Sequence, residues 1–133
     1  MSKRVVIIDD SLFVRKQLRD FFTKKLGWQI VAEGANGREA ITLWEEHKPD
    51  LMTLDIVMEI MDGTQAIKEI MSRFPDAVIL MVSAVRTGEM LDCISYGAKE
   101  YMEKPLRFKD EDYIEDFKKT LEEVFEEPIT YLS

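Results

Sequence analysis

Four short apolar stretches in this chain each stop at a polar side chain. Val5-Val6-Ile7-Ile8 runs into Asp9-Asp10, Leu51-Met52-Thr53-Leu54 into Asp55, and Val78-Ile79-Leu80-Met81-Val82 into Ser83. A brief run at Tyr101-Met102 stops at Lys104-Pro105. Runs of this length without polar alternation read as strands covered on both faces, the pattern of a parallel sheet. Asp55 is followed by Ile56-Val57-Met58 and a turn closed by Met61-Asp62-Gly63. Each polar group is thereby delivered to the carboxyl edge, where open parallel sheets bind ligands.

Between these stretches lie helical patterns. Ser11 caps a helix whose apolar face is Leu12, Val14, Leu18, Phe21, Phe22 and Leu26, and Gly27 stops it. Trp28 to Glu33 is a strand. Asn36 and Glu39 have capping-box spacing for a helix that ends near His47-Lys48, before Pro49. Further helices are expected from about Thr64 to Arg73 and from Thr87 to Tyr96, with Gly97 as the stop. The last helix carries Ile114, Phe117, Leu121, Val124 and Phe125 on one stripe and ends at Pro128. Alternating strands and helices imply parallel strands joined by right-handed crossovers, with helices on both faces. The domain is expected to span residues 1–127, with 128–133 as a tail.

Composition narrows the class. The formal charge of -8 disfavours nucleic-acid binding, which needs clustered cations. The single cysteine, Cys93, excludes an internal disulfide, and no apolar run reaches membrane-spanning length. Met1-Ser2-Lys3-Arg4 leads straight into a strand rather than a signal-peptide core, so a cytoplasmic protein is expected.

Carboxylates that converge repel each other and stay ionised together when a cation sits among them. Asp9, Asp10 and Asp55 therefore point to a metal, and an all-oxygen set without clustered His or Cys points to magnesium. Asp10 and Asp55 are expected as direct ligands, Asp9 through water, and the Val57 backbone carbonyl as a further ligand. With the charge screened, Asp55 can attack a phosphoryl group. The Lys104 ammonium and the Ser83 hydroxyl can then stabilise the phosphoryl oxygens. Any one Asp after a strand is ordinarily a cap or solvated residue; it is the set at successive strand ends that points to a site.

The motifs Ile8-Asp9-Asp10-Ser11, Leu54-Asp55-Ile56-Val57-Met58, Met61-Asp62-Gly63, Val82-Ser83-Ala84, Gly97-Ala98 and Tyr101-Met102-Glu103-Lys104-Pro105 resemble the receiver domain of bacterial response regulators across essentially the whole chain. The resemblance implies a flavodoxin-like, doubly wound α/β fold with five parallel strands and five helices. The strand order 2-1-3-4-5 is taken from chemotaxis receivers rather than computed from these residues. It also implies Asp55 as phosphoacceptor, Asp9 and Asp10 as the acidic pair holding magnesium, and Ser83, Lys104 and Tyr101 as switch residues. The implied donor is a histidine kinase or a phosphotransfer protein carrying phosphohistidine. The implied output is a change in the face made by helix four, strand five and helix five, read by another protein. Such receivers often have a cis peptide before the proline of Lys104-Pro105. A monomeric signalling switch of chemotaxis type is expected, rather than an enzyme, with a phosphorelay intermediate as the nearest alternative.

Departures and rivals remain. Glu59 stands where such receivers commonly have proline and is expected to be a solvated loop carboxylate. Val57 and Val85 occupy positions that flank the attacking water in similar receivers, and apolar groups there predict slow loss of the phosphoryl group. His47 and Cys93 are read as structural, and the methionines as core filler, with Met58 and Met61 near a partner surface. An aspartyl phosphatase of the haloacid-dehalogenase type needs a second Asp where Val57 stands. A flavodoxin-like electron carrier needs a phosphate loop where Asp9-Asp10 would repel the cofactor. An interaction module that is never phosphorylated would have no use for the intact Asp55, Ser83 and Lys104 set.

Overall fold

The structure is a computed structural model describing residues 2–84 and 88–132. Strands β1 (Arg4–Ile8), β2 (Gln29–Gly34), β3 (Leu51–Leu54), β4 (Ile79–Ser83) and β5 (Glu100–Glu103) form one parallel sheet in the order β2-β1-β3-β4-β5. Helices α1 (Leu12–Asp20), α2 (Gly37–His47), α3 (Gly63–Arg73), α4 (Gly88–Tyr96) and α5 (Glu111–Phe125) connect and flank it. Both the doubly wound class and the strand order agree with expectation.

The central strands β1, β3 and β4 read as nearly continuous apolar runs because each face is covered. Along β1, Val5 and Ile7 pack with Leu18 of α1, Phe22 just beyond it and Phe117 of α5, while Val6 and Ile8 pack with α2 and α3 residues such as Trp44, Ala66 and Ile70. The period of two along a strand thus divides its side chains between two cores. Parallel registry ties the sheet together at β1 and β3, where Val5, Val6, Ile7 and Ile8 face Leu51, Met52, Thr53 and Leu54.

Caps form where the sequence places them. Ser11 Oγ accepts from Val14 N at 3.2 Å, and Asn36 Oδ1 accepts from Glu39 N at 2.9 Å. Glu39 returns its bond to Ala35 N rather than to Asn36 N, one residue earlier than a capping box requires. Three features differ from the sequence reading. Strand β4 starts at Ile79, one residue into the apolar run that begins at Val78, and the preceding Ala77 N is spent on the turn, donating to Phe74 O at 2.9 Å. Trp28 precedes β2, stacking on Phe22 with ring centroids 5.6 Å apart. The first helix is not α-helical to Leu26: after Asp20 it widens into a π-helical turn, Phe21–Lys25, and consecutive Phe21 and Phe22 are both buried. Thr87, expected to open the fourth helix, lies outside the described residues.

The segment after Pro128 packs onto the domain. Ile129 is buried, Tyr131 Oη donates to Ile114 O at 2.7 Å, and Leu132 N donates to Lys25 O at 2.7 Å. Tyr113, which the sequence reading left off the stripe of α5, is buried beside Phe117, while Ile114 and Phe125 are half-buried. Among the described residues no helix is long and apolar enough to cross a membrane.

Burial pushes the Tyr113 and Tyr131 phenols up to about 12 from 10.0. A raised folded-state pKa favours the neutral phenol in the fold, so this stabilisation is complete below pH 10 and is lost toward pH 12. Urea midpoints measured across that window are expected to fall with pH in the wild type and to fall less steeply in Tyr113→Phe.

Candidate functional site

The site lies where β1, β3, β4 and β5 end. Asp9 follows β1 and Asp55 follows β3, and backbone bonds from Asp9 N to Gly34 O and from Asp55 N to Ile8 O, each 3.0 Å, hold the two strand ends level. Both side chains are buried, at 1% and 5% exposure, whereas Asp10 is exposed. Carboxylate oxygens of Asp9, Asp10 and Asp55 lie within 4.8 Å of one another.

Lys104 enters from the end of β5. Its Nζ stands 2.7 Å from Asp9 Oδ2 and 3.2 Å from Asp55 Oδ2. Ser83 is buried at the end of β4, and its carbonyl accepts from Lys104 N at 3.0 Å, fixing β5 beside it. The Lys104–Pro105 peptide is cis. Burial raises the Asp9 carboxyl above the ordinary range, aided by Asp55 and opposed by the Lys104 ammonium and the Ser11 N–H. For Lys104, burial alone would lower the pKa, but Asp9 and Asp55 outweigh it and the result is raised.

The loop after Asp55 is set by close contact. Ile56 N donates to Asp55 Oδ1 at 2.8 Å, and Gly63 N donates to Ile56 O at 2.7 Å. A Cβ on Gly63 would lie 2.0 Å from the Asp55 carbonyl oxygen, so only glycine lets α3 begin here. Asp62 caps that helix, its Oδ1 accepting from Gln65 N at 2.9 Å. Val57 and Glu59 are exposed in this loop, Glu59 as a solvated carboxylate as expected. Met58 and Met61 are half-buried, packing on the α2–α3 core with part of each side chain left at the surface. Val85 lies outside the described residues.

Tyr101 sits on β5 with its side chain partly exposed, 36% overall. His47 ends α2, its carbonyl accepting from Arg4, and Cys93 is buried in α4 with Sγ 3.8 Å from Thr64 Oγ1. Neither reaches the acidic cluster.

Two features escaped the sequence reading. Arg15, one turn into α1, donates to the Asp9 carbonyl at 2.6 Å and pairs with Glu33 at 3.3 Å. Its spacing from the Ser11 cap, which turns it back toward the end of β1, was the available signal. The second is a groove of about 800 Å³ between α1 and the segment that joins β5 to α5. Phe13, Phe21, Leu106 and Phe108 give it an apolar floor, and Lys16, Lys24, Lys25, Arg107 and Lys109 outnumber Asp20 and Asp110 around it, leaving a net positive lining. A smaller hollow sharing Phe13, Gln17 and Leu106 continues it to Lys104.

An acidic cluster closed by one lysine at the end of such a sheet can be placed among known proteins. Residues 5–114 match the response regulator receiver domain. The chain belongs to the receiver domain family. It is 44% identical over 108 residues to chemotaxis protein CheY of Thermotoga maritima, covering 80% of this chain and 89% of that protein. The CheY of Bacillus subtilis is 41% identical over 122 residues, 91% of this chain and 99% of the relative. Among solved structures, the CheX-CheY-BeF3-Mg2+ complex from Borrelia burgdorferi superposes with a TM-score of 0.81 at 34% identity, covering 92% of this chain and 88% of that one. This receiver is thus CheY-like, and CheY-like receivers are signalling switches that bind Mg2+ in an acidic pocket.

The donor set here fits such an ion. It is all oxygen, and the buried Asp9 Oδ2, met among the described residues by the Lys104 ammonium at 2.7 Å and by no other donor, keeps acceptor capacity for a cation. Replacing Lys104 by Met would leave Asp9 and Asp55 facing each other in low dielectric. The variant is expected to lose on the order of 3 kcal/mol in metal-free buffer. Added Mg2+ should raise its melting temperature more than it raises that of the wild type, as thermal unfolding with and without the ion will show.

Proposed function

We propose that Asp55 is the phosphoacceptor of a stand-alone, chemotaxis-type response regulator. The observation that carries this reading is the convergence of buried Asp55 and Asp9, exposed Asp10 and the Lys104 ammonium at one sheet edge. An Asp55 carboxylate oxygen attacks the phosphorus of a phosphohistidine, the P–N bond breaks, and the imidazole leaves carrying the electron pair. Asp55 becomes an acyl phosphate. Lys104 already stands at the oxygen of Asp55 that faces away from the Ile56 N–H, so its charge falls on the incoming phosphoryl oxygens. The Ser83 hydroxyl donates to one of them. Asp10 and Asp55 would hold Mg2+ directly, with Asp9 through water and the Val57 carbonyl as a further ligand. The ion supplies charge neutralisation for the transferring group.

Transfer pulls Ser83 toward the phosphoryl group and frees space for the Tyr101 ring, so the surface of α4, β5 and α5 changes and a target protein reads it. The donor is a histidine kinase or phosphotransfer protein. The groove beside α1, basic on a chain of net charge -8, suits an acidic amphipathic helix of that donor and leads toward Lys104. The protein acts as a cytoplasmic monomer without nucleic acid, its switching unit residues 1–127, with 128–133 as a C-terminal tail. With exposed, apolar Val57 beside the site, nothing at that position orients an attacking water, and the acyl phosphate should persist for minutes.

Intact-protein mass after incubation with acetyl phosphate tests the reading. A single phosphoryl adduct is expected in the presence of Mg2+, absent without it and absent in Asp55→Asn. Failure to form the adduct would overturn the phosphoacceptor assignment and leave an interaction module that is never phosphorylated. Decay within seconds would overturn the role given to Val57.

A further inference from the structure

We infer that Arg15 is a positioning residue for the metal site, acting through the peptide between Asp9 and Asp10; this rests on the Mg2+ reading above. Asp10 is the exposed member of the acidic cluster, and its carboxylate has no hydrogen bond or ion pair among the described residues. Its place is therefore set by its backbone. The two faces of that backbone are held differently. On the strand side, Asp9 N donates to Gly34 O at 3.0 Å, and Ser11 N donates to Asp9 Oδ1 at 2.9 Å. The Asp9 carbonyl, which begins the peptide that carries Asp10, lies just past the end of β1, and the Arg15 guanidinium donates to it at 2.6 Å.

The guanidinium is itself held. Arg15 Nε is 3.3 Å from Glu33 Oε1, and Arg19 Nε is 3.0 Å from the other oxygen, Glu33 Oε2. The Arg15 and Glu33 side chains are only 18% and 25% exposed, so this is a largely desolvated ion pair rather than a loose surface one. Glu33 lies on β2, next to Gly34, whose carbonyl holds Asp9 N. One acidic residue on β2 thereby anchors the arginine that fixes the Asp9–Asp10 peptide plane. Arg19 shares Glu33 but is not bonded to Asp9, and this asymmetry makes the inference testable.

The test is Mg2+ titration by isothermal calorimetry, with the Mg2+-induced rise in melting temperature as a second readout. The proteins are wild type, Arg15→Met, Arg15→Lys and Arg19→Met. Arg15→Met is expected to bind Mg2+ about tenfold more weakly, the size of effect seen when a group orienting a metal ligand is lost. Arg15→Lys should recover part of that loss, because an ammonium can reach the carbonyl but lacks the fork that holds Glu33 as well. Arg19→Met should bind as the wild type does, whatever it loses in stability. If Arg15→Met does not fold, the comparison of Arg15→Lys with Arg19→Met decides, with about a threefold weakening expected in the former. Equal Mg2+ affinity in all four proteins, or equal weakening in the Arg15 and Arg19 variants, would overturn the inference and leave Arg15 a structural residue. A wild type that binds no Mg2+ would overturn the metal reading itself, a result distinct from either.

Discussion

Two buried carboxylates share one ammonium, and the carboxyl edge of the sheet is arranged around that fact. Asp9 and Asp55 are almost wholly out of water and close enough to repel, while Lys104 satisfies both. A buried charge pair of this kind contributes little net stability, because desolvation cancels much of the attraction, but losing one member is costly. The arrangement is thus better understood as a held tension. It persists because strands β1, β3 and β5, which carry the three groups, belong to a sheet covered on both faces and cannot shift independently.

The same constraint explains why the ends of the strands, and not their interiors, carry the chemistry. Within the central strands, Val5 to Ile8, Leu51, Met52, Leu54 and Ile79 to Val82 face one of two apolar cores, leaving no room for a charge; the charged strand residues sit at Arg4 and on the outer strands β2 and β5. At the edge the ladder stops, backbone groups need new partners, and side chains can reach solvent. Gly63 is permitted by that geometry and required by it, since α3 must start against the Asp55 carbonyl. Arg15 answers the corresponding need at the Asp9 carbonyl.

Most of this was legible in the sequence, for a definite reason. Strand runs ending at Asp9, Asp55, Ser83 and Lys104 are local signals, and parallel connectivity carries all their ends to one edge without knowledge of any contact. What stayed hidden depends on side chains meeting across long separations. The link from Arg15 to Glu33 crosses from α1 to β2, and the packing of Tyr131 over Ile114 joins the end of the chain to α5. Tyr113 was overlooked because a phenol reads as amphipathic, and only the fold shows that Phe108 and Phe117 surround it. The groove floor likewise brings Phe13 and Phe21 to Leu106 and Phe108, pairs that no periodicity relates.

The π-helical turn at Phe21–Lys25 closes the first helix with a wider turn than the α-helix before it. Each residue in an α-helix advances the azimuth by about 100°, so excising one here would rotate everything before it relative to everything after. Lys24 and Lys25 could then no longer line the same groove as Lys16 while Phe21 and Phe22 both stay inside. The wider turn therefore supplies a cationic rim and a doubled aromatic anchor together.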